Sequence, residues 1–219
     1  MVFGKIEYLN LLEFHVFMKR FTKNTQQSMS MHYKRGVPSY INKEFESRRV
    51  DAAFISSVTA RTYKNVKLGI IAKDRVKSVI VLPDEHTQKD DESASSNILA
   101  SLLNVEGKIL IGDKALAYAL ESDNYIDLAK EWKNKHSLPF VFALFCYHED
   151  KQIYKSIEKN FLKQKTKIPQ YILKQASART GIDTQDILEY LKLISYEYNI
   201  KAQHGLKKFY VLMKSSKFL

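Results

Sequence analysis

The fold is decided near the N-terminus by the stretch GKIEYLN at residues 4–10. Ile6, Tyr8 and Asn10 alternate with the residues between them, and β-forming types dominate, which predicts a strand that ends at Asn10. A helix-like run at residues 11–21 follows at once. Because ligands of open α/β sheets bind at the carboxyl ends of the strands, Asn10 is a candidate site residue. An N-cap for the following helix is the alternative interpretation of this amide.

Small and polar residues also accompany the later predicted strands. Ser56 follows an apolar run at 50–55, Gly112 and Asp113 follow a strand predicted at 107–111, and Ser78 lies inside a β-rich run at 76–82. Together these residues predict a site that binds an anion through hydroxyls, amides and backbone N–H groups.

A serine cluster, SASS at residues 93–96, precedes an apolar helix predicted at 97–103. Hydroxyls and free N–H groups at a helix start can bind a carboxylate or a phosphate, which makes Ser95 and Ser96 candidate ligands. Ordinary helix capping is the alternative explanation of the cluster.

The order of strands and helices predicts an α/β fold with two lobes. Two long extended runs, at 76–82 and 138–145, flank a middle block and predict two crossings between the lobes. We expect lobe 1 to comprise residues 1–75 and 144–219, lobe 2 to comprise 76–143, and a ligand cleft to lie between them. The run at 138–145 is apolar enough to be buried on both faces, as in a parallel sheet or a hinge strand. After residue 149 the pattern is all helical, with helices predicted at 151–163, 169–180, 184–198 and 201–213.

Composition and charge restrict the possible environments of the chain. Its 219 residues carry a net charge of +11, and residues 151–219 hold 14 Lys and Arg against 5 Asp and Glu. Such a basic segment either is a solvated helix surface or binds nucleic acid. The single cysteine, Cys146, allows no internal disulfide, and neither a signal peptide nor an apolar run of membrane-spanning length is visible. We therefore expect a cytoplasmic protein without membrane attachment.

Motifs for cofactor chemistry are missing from the sequence. The chain has neither a Gly-x-Gly-x-x-Gly fingerprint nor a P-loop, and its six histidines lack metal-like spacing. Cys146 and His148 could suggest a nucleophile pair, but we expect Cys146 to lie in the core. The sequence thus predicts a site with neither a metal nor a coenzyme.

Several short motifs occur in an order that is more specific than any one of them. They are Tyr8-Leu9-Asn10, Pro38-Ser39, Ser78-Val79, the serine cluster at 93–96, Ile111-Gly112-Asp113 and LPFVFA at 138–143. With these motifs, the chain resembles the chorismate dehydratases of the futalosine route to menaquinone over nearly its whole length.

This resemblance implies a fold like that of type 2 periplasmic binding proteins, used as an enzyme without a cofactor. It implies that chorismate is converted to 3-[(1-carboxyvinyl)oxy]benzoate and water, with Asn10 and Ser78 as catalytic residues. It also implies that Ser95 and Ser96 hold a substrate carboxylate and that Ser56 belongs to the site.

The chain departs from the family pattern at two places. Glu13 stands where the family usually has proline, and we expect its side chain to face solvent, since a negative charge in the cleft would weaken the binding of a dianion. His136-Ser137 replaces the usual Thr-Gly, which we expect to alter a surface turn.

Two other functions are compatible with the same residues. One is a non-catalytic cytoplasmic binding protein for an aromatic or small carboxylate, and the other is a nucleic-acid-binding protein that uses the basic C-terminal helices. For the enzyme we expect a monomer or homodimer that binds neither nucleic acid nor membranes.

Overall fold

The computed structural model of the protein describes residues 1–23, 31–84 and 86–216. Its strands are β1 (Val2–Lys5), β2 (His32–Arg35), β3 (Ala52–Ser56), β4 (Lys64–Ala72), β5 (Val79–Leu82), β6 (Lys108–Ile111), β7 (Ile126–Asp127), β8 (Phe140–Tyr147) and β9 (Ile194–Glu197). Its helices are α1 (Leu12–Lys23), α2 (Pro38–Glu46), α3 (Ser57–Ala60), α4 (Ala94–Leu103), α5 (Gly112–Glu121), α6 (Leu128–His136), α7 (Lys151–Lys163), α8 (Gln170–Thr180), α9 (Thr184–Leu191) and α10 (Ile200–Ser215). The predicted α/β class is confirmed.

In the described ranges, six strands form a large sheet in the order β2-β1-β3-β8-β4-β9. β1 pairs in parallel with β2 and β3, whereas β8 is antiparallel to both of its neighbours. Of the two environments suggested for the run at 138–145, the parallel sheet is therefore wrong, and the hinge strand stays a prediction. This run is apolar because β8 is a central strand against which α3, α6 and α10 pack.

A smaller sheet has the order β6-β5-β7, and both of its pairings are antiparallel. All three strands come from the predicted second lobe at 76–143, although the first residues of β8 in that range belong to the large sheet. The division of the chain into two lobes stays a prediction.

The strand predicted at 76–82 begins only at Val79. The backbone N–H groups of Val76 and Lys77 donate to Asp127 Oδ2 at 2.8 and 2.7 Å, and Lys77 has a φ of 59°. These bonds and the left-handed residue turn the chain just before Ser78, which therefore lies outside the strand.

The first strand is also shorter than the sequence predicts. It ends at Lys5, and a short 3₁₀ helix at Leu9–Leu11 carries Asn10. The N–H of Leu9 donates to Asp113 Oδ1 at 2.8 Å, and the carbonyl of Asn10 accepts from the Tyr196 hydroxyl at 2.7 Å. Hydrogen bonds to distant residues thus override the alternating pattern that predicted a strand.

The C-terminal region contains a strand that the helical prediction missed. The helix predicted at 184–198 ends at Leu191, and β9 follows it at the edge of the large sheet. Ile194 and Tyr196 point into the core with 8% exposure each, which gives this short segment the period of a strand.

The two departures from the family pattern have structural consequences. Glu13 was expected to face solvent and does so only in part, because it is half-buried, and this burial raises the pKa of its carboxyl. Ser137 ends α6 in the left-handed conformation (φ 57°), which glycine adopts at lower cost. His136 packs on Trp132 with their ring centroids 4.2 Å apart, so the change reaches beyond a surface turn.

Candidate active site between the two sheets

A cavity lies where elements of the large and small sheets face each other. Its apolar lining is formed by Ile6, Leu11, Pro38, Phe54, Ile70, Val76, Val79, Ile111, Phe142 and Ala143. Its polar lining is formed by Tyr8, Asn10, Ser56, Ser78, Ser93 and Ser96, together with Gly112. None of these described lining residues carries a formal charge, so an anion here would be held by hydroxyls, amides and backbone dipoles.

Asn10 lines this cavity from the 3₁₀ helix. Its Oδ1 is buried and lacks a hydrogen-bond partner among the described residues. A buried acceptor without a partner costs about 1–3 kcal/mol, and a ligand that donates a hydrogen bond would recover this free energy. Because the side-chain oxygen is unpaired, Asn10 does not act as a helix cap.

Ser78 lines the same cavity from the position that precedes β5. Its Oγ accepts from the Tyr190 hydroxyl at 2.8 Å, and its carbonyl accepts from the N–H of Gly112 at 2.8 Å. Asp127 accepts hydrogen bonds from the backbone N–H groups of the two residues that precede Ser78. The serine hydroxyl therefore has a fixed position and keeps its own proton for a ligand.

The N-termini of two ten-residue helices reach the cavity. Ser93 caps α4 by accepting from the N–H of Ser96 at 3.2 Å, and both serines line the cavity. Gly112 begins α5 and lines it as well. Helix N-termini present unpaired N–H groups and a partial positive charge, so the cavity has two places suited to a carboxylate.

Tyr8 covers part of the cavity. Its hydroxyl donates to Glu92, and its ring lies over Gly112, where a Cβ atom would come within 2.6 Å of the ring. The close approach therefore requires glycine at this position. Two causes raise the pKa of Tyr8 far above its usual range: burial, which is the larger, and the hydrogen bond to Glu92. The Tyr8 hydroxyl therefore stays protonated.

Ser56 lines the cavity, but its hydrogen bonds are directed into the protein. Asn42 donates to its Oγ at 3.1 Å and accepts from its N–H at 3.2 Å, and the hydroxyl donates to Thr59 at 3.3 Å. Ser56 therefore shapes the cavity more than it offers a free donor.

Two predicted site residues, Ser95 and Asp113, do not line the cavity. Ser95 Oγ accepts from the N–H of Val58 at 3.2 Å, which connects α4 to α3. Asp113 accepts from the N–H of Leu9 and, at 2.8 Å, from Arg179, which connects α5 to the 3₁₀ helix and α8. Burial raises the pKa of the Asp113 carboxyl. We call Ser95 and Asp113 the bridging residues.

Sequence reasoning missed four residues that contact or line the site. They are Tyr8, Asn42, Tyr190 and Tyr196. Tyr8 was visible as the first residue of the Tyr8-Leu9-Asn10 motif. The other three act from elements distant in sequence, and no local pattern marks them.

Comparisons with known proteins place the chain in a family. A sequence model described as menaquinone biosynthesis matches residues 88–215. The chorismate dehydratase of Campylobacter jejuni subsp. jejuni serotype O:23/36 (strain 81-176) is 44% identical over 213 residues, which cover 95% of this chain and 96% of that protein.

Solved structures support the fold. A protein from Archaeoglobus fulgidus superposes with a TM-score of 0.74 at 12% identity, covering 100% of this chain and 98% of that one. The periplasmic aliphatic sulphonate binding protein of Escherichia coli superposes with a TM-score of 0.61 at 10% identity, covering 100% and 88%. The predicted periplasmic-binding-protein-like fold is thereby confirmed. The chain belongs to the menaquinone biosynthesis family and, within it, to the chorismate dehydratases of the futalosine route.

Proposed function

We propose that this protein dehydrates chorismate to 3-[(1-carboxyvinyl)oxy]benzoate and water in the cavity between its two sheets. The observation that carries the proposal is the buried, unpartnered Oδ1 of Asn10, which shares a cavity with the fixed hydroxyl of Ser78. Family membership and the neutral, anion-compatible lining support the same conclusion.

The two carboxylates of chorismate match the two helix N-termini. Ser96 and the first turn of α4 bind one carboxylate, and the N–H groups that follow Gly112 at the start of α5 bind the other. Ser93 keeps the Ser96 hydroxyl in place, since their Oγ atoms lie 2.8 Å apart. The apolar residues Phe54, Ile70 and Phe142 enclose the ring and exclude water.

The reaction breaks the C3–H and C4–O bonds of the ring, forms the C3=C4 bond and releases water. Asn10 Oδ1 accepts from the C4 hydroxyl and orients it, and Ser78 donates to the oxygen as it departs. The gain of aromaticity drives the elimination, so orientation is the main contribution required of the protein.

The proton on C3 needs a base. Among the described lining residues, Tyr8 has the only titratable side chain, and its raised pKa keeps it protonated. The enolpyruvyl carboxylate of the substrate therefore takes the proton, which then leaves with the hydroxide as water.

The purified protein mixed with chorismate tests the proposal. We expect the diene absorbance to disappear and the enolpyruvyl benzoate to appear in equal amount by chromatography and mass spectrometry, with little conversion by a Ser78→Ala variant. Chorismate that is bound, as seen by calorimetry, but recovered unchanged would instead identify a non-catalytic binding protein.

We further propose that the two sheets belong to two lobes, 1–75 with 144–219 and 76–143, that close over the substrate. The buried thiol of Cys146, whose pKa is raised by burial, is compatible with the reducing cytoplasm that we propose as its location. In the described ranges, no helix combines the length and the apolar character that a membrane crossing requires.

A further inference from the structure

Two buried tyrosines from the C-terminal region contact the two proposed catalytic residues. The Tyr190 hydroxyl donates to Ser78 Oγ at 2.8 Å, and the Tyr196 hydroxyl donates to the carbonyl of Asn10 at 2.7 Å. We infer that Tyr190 and Tyr196 are positioning residues that hold Ser78 and Asn10 in the geometry required for dehydration. This inference rests on the proposed roles of Asn10 and Ser78.

Tyr190 fixes the direction in which the Ser78 hydroxyl donates. A free serine hydroxyl rotates among three rotamers. When its oxygen accepts from a buried tyrosine, its own proton must point elsewhere, and Ser78 lines the cavity. Tyr190 is 3% exposed, and burial raises its pKa far above the usual range, so it remains a hydrogen-bond donor.

Tyr196 fixes the turn that presents the Asn10 amide. Its bond to the Asn10 carbonyl joins residues that are 186 positions apart in the chain. β9 places the tyrosine by pairing with β4, and Phe161 contacts its ring edge-on with centroids 5.1 Å apart. Without this donor the carbonyl loses a partner, and the 3₁₀ helix can move Asn10 away from the cavity.

Another buried tyrosine provides a matched control. Tyr154 is 2% exposed, and its hydroxyl donates to Met1 Sδ at 3.2 Å, away from the lining residues. Replacing it by phenylalanine removes one buried hydroxyl without touching Asn10 or Ser78.

The test compares Tyr190→Phe, Tyr196→Phe and Tyr154→Phe in steady-state kinetics with chorismate. We expect kcat to fall about tenfold in each of the first two variants, which corresponds to the loss of one buried hydrogen bond, while KM stays within about threefold. The Tyr154→Phe variant should retain its kcat within about twofold. If Tyr190 and Tyr196 had only a structural role, all three substitutions would lower the melting temperature, and kcat would not differ between the first two variants and Tyr154→Phe.

A double-mutant cycle separates the inference from the proposal on which it rests. If Tyr190 acts through Ser78, Tyr190→Phe causes no further loss of kcat in a Ser78→Ala background. A further tenfold loss there, or a normal kcat in both single tyrosine variants, overturns the inference and leaves the proposed function standing. Normal turnover by Ser78→Ala and Asn10→Asp would instead overturn the proposed roles themselves. If one tyrosine variant does not fold, the other tests the inference through its own independent bond.

Discussion

Neighbouring residues at the candidate site have different tasks. Ser96 lines the cavity, whereas Ser95 accepts a hydrogen bond from α3. Gly112 lines the cavity, whereas Asp113 binds the 3₁₀ helix and Arg179. Residues that line the cavity are available to a ligand, and the bridging residues next to them connect elements of the two sheets.

This contrast follows from helix geometry. Consecutive residues in the first turn of a helix point about 100° apart, so one can face the cavity while the next faces a neighbouring element. We therefore expect changes in the lining to affect turnover and changes in the bridging residues to affect stability first.

The largest effect is expected for Asn10→Asp. The substitution keeps the shape of the side chain and an oxygen that can accept from the C4 hydroxyl, but it places a negative charge beside a dianion and beside the oxygen that departs as hydroxide. We expect kcat to fall by about 10³, which is the upper range for the loss of one preorganised group, with little change in the melting temperature. Asn65→Asp on an exposed part of β4 introduces the same charge and should retain normal turnover. Near-normal turnover by Asn10→Asp would reject the assigned role.

The next effect is expected for the bridging residue Asp113. Asp113→Ala leaves the N–H of the buried Leu9 without its acceptor, which should lower the free energy of unfolding in urea by about 2 kcal/mol. Asp74→Ala breaks an exposed ion pair with Lys130 and should cost less than about 0.5 kcal/mol. Equal losses in the two variants would show that Asp113 contributes only its surface bond to Arg179.

His15 also supports the lining, because its Nε2 bonds the carbonyl of Ile6 at 2.8 Å. Burial lowers the pKa of His15 to about 4, so below the unfolded value of about 6.5 the unfolded state binds a proton that the folded state does not. We therefore expect His15 to reduce stability by about 2 kcal/mol between pH 7 and pH 5.

Unfolding of the wild type and of a His15→Gln variant at both pH values measures this contribution. Carboxyl groups with raised pKa values, such as Asp113, shift stability in the opposite direction but equally in both proteins, so the difference isolates His15. An identical pH dependence in the two proteins would contradict the prediction.

The smallest and most direct test compares Ser95→Ala with Ser96→Ala. Ser95→Ala leaves the N–H of Val58 unpaired and should lower stability by about 1 kcal/mol with KM unchanged. Ser96→Ala should raise KM several-fold with a smaller loss of stability. If the KM effect appears in Ser95→Ala instead, the original prediction of Ser95 as a carboxylate ligand is restored.

Much of the fold could be predicted from local patterns. The helix at 151–163 was predicted to the residue, because its apolar periodicity and its ends are both local signals. β9 was missed because four residues at a sheet edge gain their conformation from pairing with β4. The end of β1 was misplaced because bonds to Asp113 and Tyr196 bend the chain after Lys5.

Many of the residues of the candidate site could also be predicted from the sequence. Motif order pointed to Asn10, Ser56, Ser78, Ser96 and Gly112, which share one cavity, and their chemical roles stay predictions. The orientation of Ser95 depends on where α3 packs, and the roles of Tyr190 and Tyr196 depend on a fold that joins residues 112 and 186 positions apart in the chain. Information of this kind is absent from any short window of sequence.

The hydrogen bond between Asn10 and Tyr196 has a consequence for the synthesis of the protein on the ribosome. Asn10 leaves the ribosome long before Tyr196, because 186 positions separate the two residues in the chain. The nascent chain therefore cannot assemble a competent site until Tyr196 has been synthesised and has emerged. A stop codon between Ser78 and Tyr190 would release a polypeptide that has both Asn10 and Ser78 but neither of the tyrosines that hold them.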